Sequence, residues 1–208
     1  FTGAVSGLVN ENDLGEVTYS RTGADEDVGT YAGVLTASYT ANGNYSVTVV
    51  PGDFEITAKA VTITVADARK TYGEADPAFI GEVAGLVNEG DVGEIAYVRT
   101  GADENVGTYA DALTATYTEN ANYTVTVVPG DFEITAKQVT ITVADSSKVY
   151  GADDPAFEGE VVGLVNDGDL GEIAYSRTGA DENVGTYAGV LTATYTENAN
   201  YTVTVVPG

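Results

Sequence analysis

The sequence predicts an all-β protein, a tandem array of small β-sandwich or β-grasp-like modules forming an elongated rod. Three observations carry this prediction. The segment Pro51-Gly52-Asp53-Phe54-Glu55-Ile56-Thr57-Ala58-Lys59 recurs letter for letter at Pro129 to Lys137, an interval of about 78 residues that marks repeated units. Short runs of Val, Ile, Thr and Tyr alternate apolar with polar side chains, the two-residue period of a half-buried strand. No stretch carries the apolar stripe of an amphipathic helix of useful length.

The repeat divides the chain into three modules. Residues 1–57 form a first module that lacks its first strand and turn, residues 58–135 a complete second, and residues 136–208 a third that lacks its last strand. Phe1 aligns with Phe79 and Phe157, so the chain opens inside a repeat. Segments 79–130 and 157–208 differ at about seven positions. Ile80/Glu158 and Val98/Ser176 are among them, and these are expected on the surface or at a change of neighbour. A window of a longer, head-to-tail array is the expectation, its terminal sheet edges filled by a strand from adjacent chain.

Within the complete module, Val61, Ile63 and Val65 alternate with Thr62, Thr64 and Ala66 as a first strand. Lys70 to Pro77 reads as a turn, punctuated by Gly73 and by Pro77, which pushes Asp76 into an extended conformation. Phe79–Val83 is a short second strand, and Gly85–Asp91 a loop or one helical turn. Glu94–Arg99 is a third strand, followed by the polar loop Thr100–Asn105 and a longer strand from Gly107 to Tyr117. Tyr123, Val125 and Val127 mark the next strand, and the Pro129-Gly130 turn leads to Phe132 and Ile134. That makes about six strands per module. The expected core is Val61, Ile63, Val65, Phe79, Leu86, Ile95, Tyr97, Tyr109, Leu113, Tyr123, Val125, Phe132 and Ile134.

Composition narrows the function classes. Lys and Arg total 8 against 32 Asp and Glu, a formal charge of -24. Such a surface repels nucleic acid and anionic membrane, and it collects divalent cations. The chain contains no Cys and no His, which removes thiolate chemistry, disulfides and the usual general base near neutral pH. No apolar run approaches the roughly 18 residues of a membrane-spanning helix. With no initiating Met and no signal peptide, Phe1 is expected to be an internal residue of something longer.

The succession Val-Thr-Ile-Thr-Val-Ala-Asp, Lys-x-Tyr-Gly-x-x-Asp-Pro, Val-Gly-Thr-Tyr, Asn-Tyr-x-Val and Phe-x-Ile-Thr-Ala-Lys resembles the MBG domains of the Tyr-Gly-x type. Its most specific pieces are Tyr72-Gly73 with Asp76-Pro77, Tyr150-Gly151 with Asp154-Pro155, and the three Val-Gly-Thr-Tyr segments. The resemblance covers the whole chain in three registers. It implies secretion, a fold near the β-grasp, and a place in an extended array attached to a bacterial cell surface. It supplies no catalytic residues.

Candidate chemistry comes in triplicate and each instance has a plainer reading. The acidic groups Asp76, Glu89, Asp91, Asp103, Glu104 and Asp154 are candidate Ca²⁺ ligands, because calcium takes six to eight oxygens in irregular geometry. Solvated turn carboxylates are the alternative. Arg99 with Asp103-Glu104, repeated at Arg21 and Arg177, is an anion or sugar contact or else a loop-pinning ion pair. Asn44, Asn122 and Asn200 each open an Asn-Tyr-Ser/Thr acceptor and equally suit a turn before a strand. Lys59 and Lys137, where one module passes into the next, are candidates for an autocatalytic amide bond or simple hinge charges. Tyr39, Tyr117 and Tyr195 form a sugar platform or part of the core.

The expected function is that of a structural stalk or filament repeat of a secreted bacterial surface protein, spacing or presenting an adhesive element. A multivalent glycan- or mucin-binding adhesin module is the alternative. No enzymatic activity is expected and no cofactor is required beyond the candidate calcium. The expected partners are adjacent repeats or head-to-tail copies of the same protein, and in the adhesin reading host or environmental glycans.

Overall fold

The computed structural model describes residues 1–208, and all of its regular elements are strands. The first repeat contributes β1 (Thr18–Arg21), β2 (Gly29–Ser38) and β3 (Gly52–Ile56). The second contributes β4 (Lys59–Val65), β5 (Ala68–Thr71), β6 (Gly81–Ala84), β7 (Ala96–Arg99), β8 (Gly107–Thr116), β9 (Tyr123–Val128) and β10 (Gly130–Thr135). The third contributes β11 (Lys137–Val143), β12 (Gly159–Val162), β13 (Ala174–Arg177), β14 (Leu191–Thr194) and β15 (Tyr201–Val206). The architecture is all-β, in several small sheets of tandem modules.

The sheets run β1-β2-β3, β6-β4-β9, β5-β10-β8-β7, β12-β11-β15 and β13-β14. Two kinds of pairing recur. β10 is flanked on one side by β5, parallel, with Phe132 opposite Ala68, and on the other by β8, antiparallel, with Phe132 opposite Tyr109. The strand that follows it, β11, pairs parallel with β15, Lys137 opposite Tyr201, and antiparallel with β12. A parallel pair needs a long connection rather than a hairpin, and here that connection is built from other strands instead of a helix.

The chain divides into two compact units. One comprises Phe1–Ile63, Val83–Ile95 and Tyr117–Thr126; the other comprises Thr64–Glu82, Ala96–Thr116 and Val127–Gly208. Each unit draws on successive repeats, so the compact units run out of step with the sequence repeats.

Within the complete repeat there are seven strands rather than about six. The additional strand is β5, in a stretch expected to lead straight into a turn. The turn itself survives one residue later, where the Glu74 N–H donates to the Thr71 carbonyl at 3.0 Å. β6 begins at Gly81 rather than Phe79, and β7 at Ala96 rather than Glu94.

Alternation places the core as expected along β4 and β10, where Val61, Ile63, Val65, Phe132 and Ile134 are buried, and at Leu113 in β8. Phe79, Leu86, Ile95, Tyr97, Tyr109, Tyr123 and Val125 are half-buried. The core also contains Leu14, Val92 and Leu170, equivalent loop residues between an Asp and a Gly. Their carbonyls accept from Thr40, Thr118 and Thr196, so each loop is folded back against the strand end behind it. Ile80 and Val98, positions that change between repeats, are exposed.

One backbone position is strained. β8 and β10 shift register between Gly130 and Phe132, and Asp111 beside this bulge takes φ of 53°, the only non-glycine residue with positive φ. Gly33 and Gly189 occupy the same place in the other repeats at 66° and 70°. The Asp111 N–H donates to Asp131 Oδ1 at 2.9 Å, as Gly33 does to Asp53 at 2.8 Å.

Candidate functional site

Two constellations gather most of the polar residues singled out in the sequence. The first is a ring of four charges. In the second repeat β5 carries Lys70, the following turn Asp76, the end of β7 Arg99, and the next loop Glu104. Lys70 Nζ lies 2.7 Å from Asp76 Oδ1 and also donates to Glu104. Arg99 closes the ring, with Nε 3.0 Å from Asp76 Oδ2 and a second bond to Glu104. Cation and anion alternate, so the ring is neutral within a strongly acidic chain.

The third repeat builds the same ring. Lys148 sits 2.7 Å from Asp154 and 2.6 Å from Glu182, while Arg177 sits 3.0 Å from Asp154 and 2.7 Å from Glu182. In the first repeat Arg21 pairs with Glu26 at 3.0 Å. Each arginine also donates to the backbone of its loop: Arg99 to the Asp103 carbonyl at 2.9 Å and Arg177 to the Asp181 carbonyl at 2.7 Å. The ring covers the core phenylalanine of β10, with the Arg99 guanidinium 4.7 Å from the Phe132 ring centroid.

The charges answer to this geometry. Burial opposes the Lys70 ammonium, but hydrogen bonds to Asp76 and Glu104 outweigh it and raise its pKa above that of an ordinary lysine. Hydrogen bonds from Lys70 and then Arg99 hold Glu104 below the usual carboxylate range. Lys148 does the same to Asp154 and Glu182. Charge-assisted bonds of this kind consume the lone pairs a bound ion would need.

The second constellation ties a loop to a strand. Asp91 Oδ2 accepts from the Tyr123 hydroxyl at 2.5 Å and from the Asn88 N–H at 3.2 Å, and the Val87 N–H donates back to the tyrosine oxygen at 3.1 Å. The Tyr123 bond holds the Asp91 carboxyl below its ordinary pKa. Asp13 with Tyr45 and Asp169 with Tyr201 repeat the arrangement.

Asn122 and Asn200 do something the acceptor motif did not reveal: they bridge successive repeats. Asn122 Oδ1 accepts the Val28 N–H at 2.7 Å, and its Nδ2 donates to Asp27 at 2.8 Å. Asn200 Oδ1 accepts the Val106 N–H at 2.8 Å and its Nδ2 donates to Asn105 at 3.0 Å. Beside the second bridge the rings of Tyr72 and Tyr201 meet edge to face, centroids 5.3 Å apart. Lys59 and Lys137 open β4 and β11 rather than a linker, their N–H groups donating to the carbonyls of Asn122 and Asn200.

The six candidate calcium ligands are therefore distributed, not assembled. Asp76 and Glu104 share the second-repeat ring, Asp154 belongs to the third, Asp91 is held by Tyr123, and Glu89 and Asp103 are exposed. No group of three or more acidic side chains converges in a metal-ligating arrangement. Tyr117 and Tyr195 are half-buried and Tyr39 is exposed.

A family model described as MBG domain (YGX type) matches residues 1–55, 61–133 and 139–208. No curated protein matches the chain. No solved structure matches it either.

Proposed function

Because the chain belongs to the MBG domain (YGX type) family, repeats of bacterial surface proteins, we propose that it is a spacer: a stalk or filament segment that carries an adhesive element away from the cell. The observation that carries the reading is the recurring joint. Asn122 and Asn200 make the same pair of hydrogen bonds to the repeat before them, so the step from one repeat to the next is specified by side chains and not left to a flexible linker. Each repeat then adds a fixed increment, as in other arrays where units contact only their neighbours. The charged residues support the same reading, since ring and loop carboxylates are occupied by the protein's own donors.

The test is length. Series of one to six repeats displayed on a bead, each with a fluorophore at the outer end, should hold it at a height that rises linearly with repeat number. A height that grows only as the square root of repeat number would mean a flexible tether and end the spacer reading.

The competing reading, multivalent glycan binding, draws on the groove of the third repeat, where Tyr150 and Tyr187 flank Lys148 and Arg177. Their second-repeat counterparts Tyr72 and Tyr109 are half-buried, with Tyr72 engaged on Tyr201. A repeated sugar platform needs the same aromatic faces open in every copy. A glycan array probed with the whole chain separates the readings: binding that strengthens with repeat number favours the adhesin.

A further inference from the structure

The joint between repeats has two complementary faces, and the chain also displays each of them uncovered. The leading face is seen on the second repeat: Tyr72, Gly73, Asn105 and Val106 receive the third repeat. The trailing face is seen on the third: Val165, Asn200 and Tyr201 are received, with Val165 against Gly73. The third repeat carries its own leading face, Tyr150, Gly151, Asn183 and Val184, with Tyr150 71% and Val184 91% exposed. The first repeat carries its own trailing face, Val9, Asn44 and Tyr45, with Val9 84% exposed against 38% for Val165 in the joint. The Asn44 side chain has no protein partner, whereas Asn122 and Asn200 each make two bonds.

We propose that these faces bind one another between copies of this chain, Asn44 of one copy bridging to Asn183 and Val184 of the next, so that the chains add head to tail. The occupant is a second copy because the internal joints show the interface already formed, with the same residue types on both sides: Asn onto Asp-Val in one joint and Asn onto Asn-Val in the other. Leading and trailing faces differ, so the contact is heterologous. It does not close on itself as a two-fold dimer would, and it generates an open string. Between copies the contact lacks the covalent link that raises the effective concentration of the internal joint, so it is weak. Each copy bears a charge of -24, so association strengthens as salt screens the repulsion. The inference stands on the joint geometry alone and does not require the spacer reading.

Sedimentation equilibrium of the 208-residue chain, from about 10 μM to about 1 mM in roughly 0.5 M NaCl, tests it. The weight-average mass should climb from 21.4 kDa without a plateau at the dimer. Asn44→Glu and Val184→Asp each place a charge on one exposed face, and each should lower the association constant at least tenfold while leaving the melting curve unchanged. An equal mixture of the two variants retains one intact face of each kind and should form a dimer and stop there. A wild-type chain monomeric throughout the range overturns the proposal. So do polymers that both variants form as well as wild type, and so does a mixture that forms no dimer.

Discussion

Lys70 and Asp76 stand 2.7 Å apart, and so do Lys148 and Asp154 in the next repeat, yet the Lys70 side chain is 4% exposed and that of Lys148 is 21% exposed. The same contact is made in two solvents. Removing one partner from a desolvated network leaves the others with buried, unpaired charge, whereas water repairs the same loss near the surface. Lys70→Ala should therefore destabilise the chain by about 1–3 kcal/mol, because Asp76 and Glu104 would then share only Arg99. Lys148→Ala should cost clearly less. Urea denaturation of the two variants side by side checks the order, and equal losses would show that burial of Lys70 is not what gives the ring its value.

Acid should dismantle the ring. Glu104 has a lower pKa folded than unfolded, held down by Lys70 and Arg99, and Asp154 and Glu182 are shifted the same way by Lys148 and Arg177. Their stabilisation is present above the ordinary carboxylate values and is lost as pH falls through the folded ones. Relief of self-repulsion among the acidic groups works in the opposite direction over the same range. Stability should thus hold or rise from pH 7 to about 5 and fall below about 4. Lys70, shifted upward, adds a loss only at the alkaline end, above the ordinary lysine value. Glu104→Gln should make the acid limb shallower, and a limb of unchanged slope would assign acid unfolding to other groups.

Asp111 pays for its left-handed backbone where two sister repeats use glycine. Asp111→Gly should stabilise the chain by about 0.5–1 kcal/mol, the relief of a non-glycine residue at positive φ reduced by the greater freedom of glycine in the unfolded state. The hydrogen bond to Asp131 uses the backbone N–H and survives the change. A lower melting temperature in Asp111→Gly would mean that the aspartate side chain itself contributes there.

Calcium should act as any divalent ion does. Asp76, Glu104 and Asp154 are bound by Lys and Arg, and Asp91 by Tyr123, so no set of free oxygens is arranged around a common point. Millimolar CaCl₂ and MgCl₂ should raise the melting temperature equally, by screening alone. A calcium increment more than about 2 °C above magnesium, lost with chelator, would establish a specific site on the acidic loops.

What was legible in the sequence was the periodic part. Alternation along Val61-Ile63-Val65 and Phe132-Ile134 located strands and their buried faces, because those signals are local. β5 was not legible: Ala68–Thr71 is a strand because it lies parallel beside β10, more than sixty residues along the chain, and nothing in its own four residues announces that neighbour. The burial of Lys70 follows from the same pairing. Acidic neighbours in sequence also proved a poor guide to acidic neighbours in space, since Glu104 goes with Asp76 while adjacent Asp103 contributes only its carbonyl. Val92 and Leu170 did leave a trace, an apolar residue between Asp and Gly in all three repeats, which a polar-loop reading passed over.

The joint offers a control that the repeats supply themselves. Tyr72 and Tyr150 occupy the same place in the Tyr-Gly turn of consecutive repeats and share the same intrinsic preferences. Tyr72 meets Tyr201 edge to face at 5.3 Å, whereas Tyr150 is 71% exposed. Any cost that Tyr72→Ala carries beyond Tyr150→Ala thus reports the packing of one repeat on the next and not the turn. Truncating Tyr72 removes an aromatic pair together with the area it covers, about 1–3 kcal/mol in sum, while an exposed tyrosine is worth within about 0.5 kcal/mol. The comparison belongs at a few micromolar, roughly, where contacts between copies are dissociated and Tyr150 stays in water. Guanidinium titrations of both variants give the difference directly. If the two substitutions cost the same, the tyrosine serves the turn alone, and the repeats are coupled through Asn200 and its two hydrogen bonds.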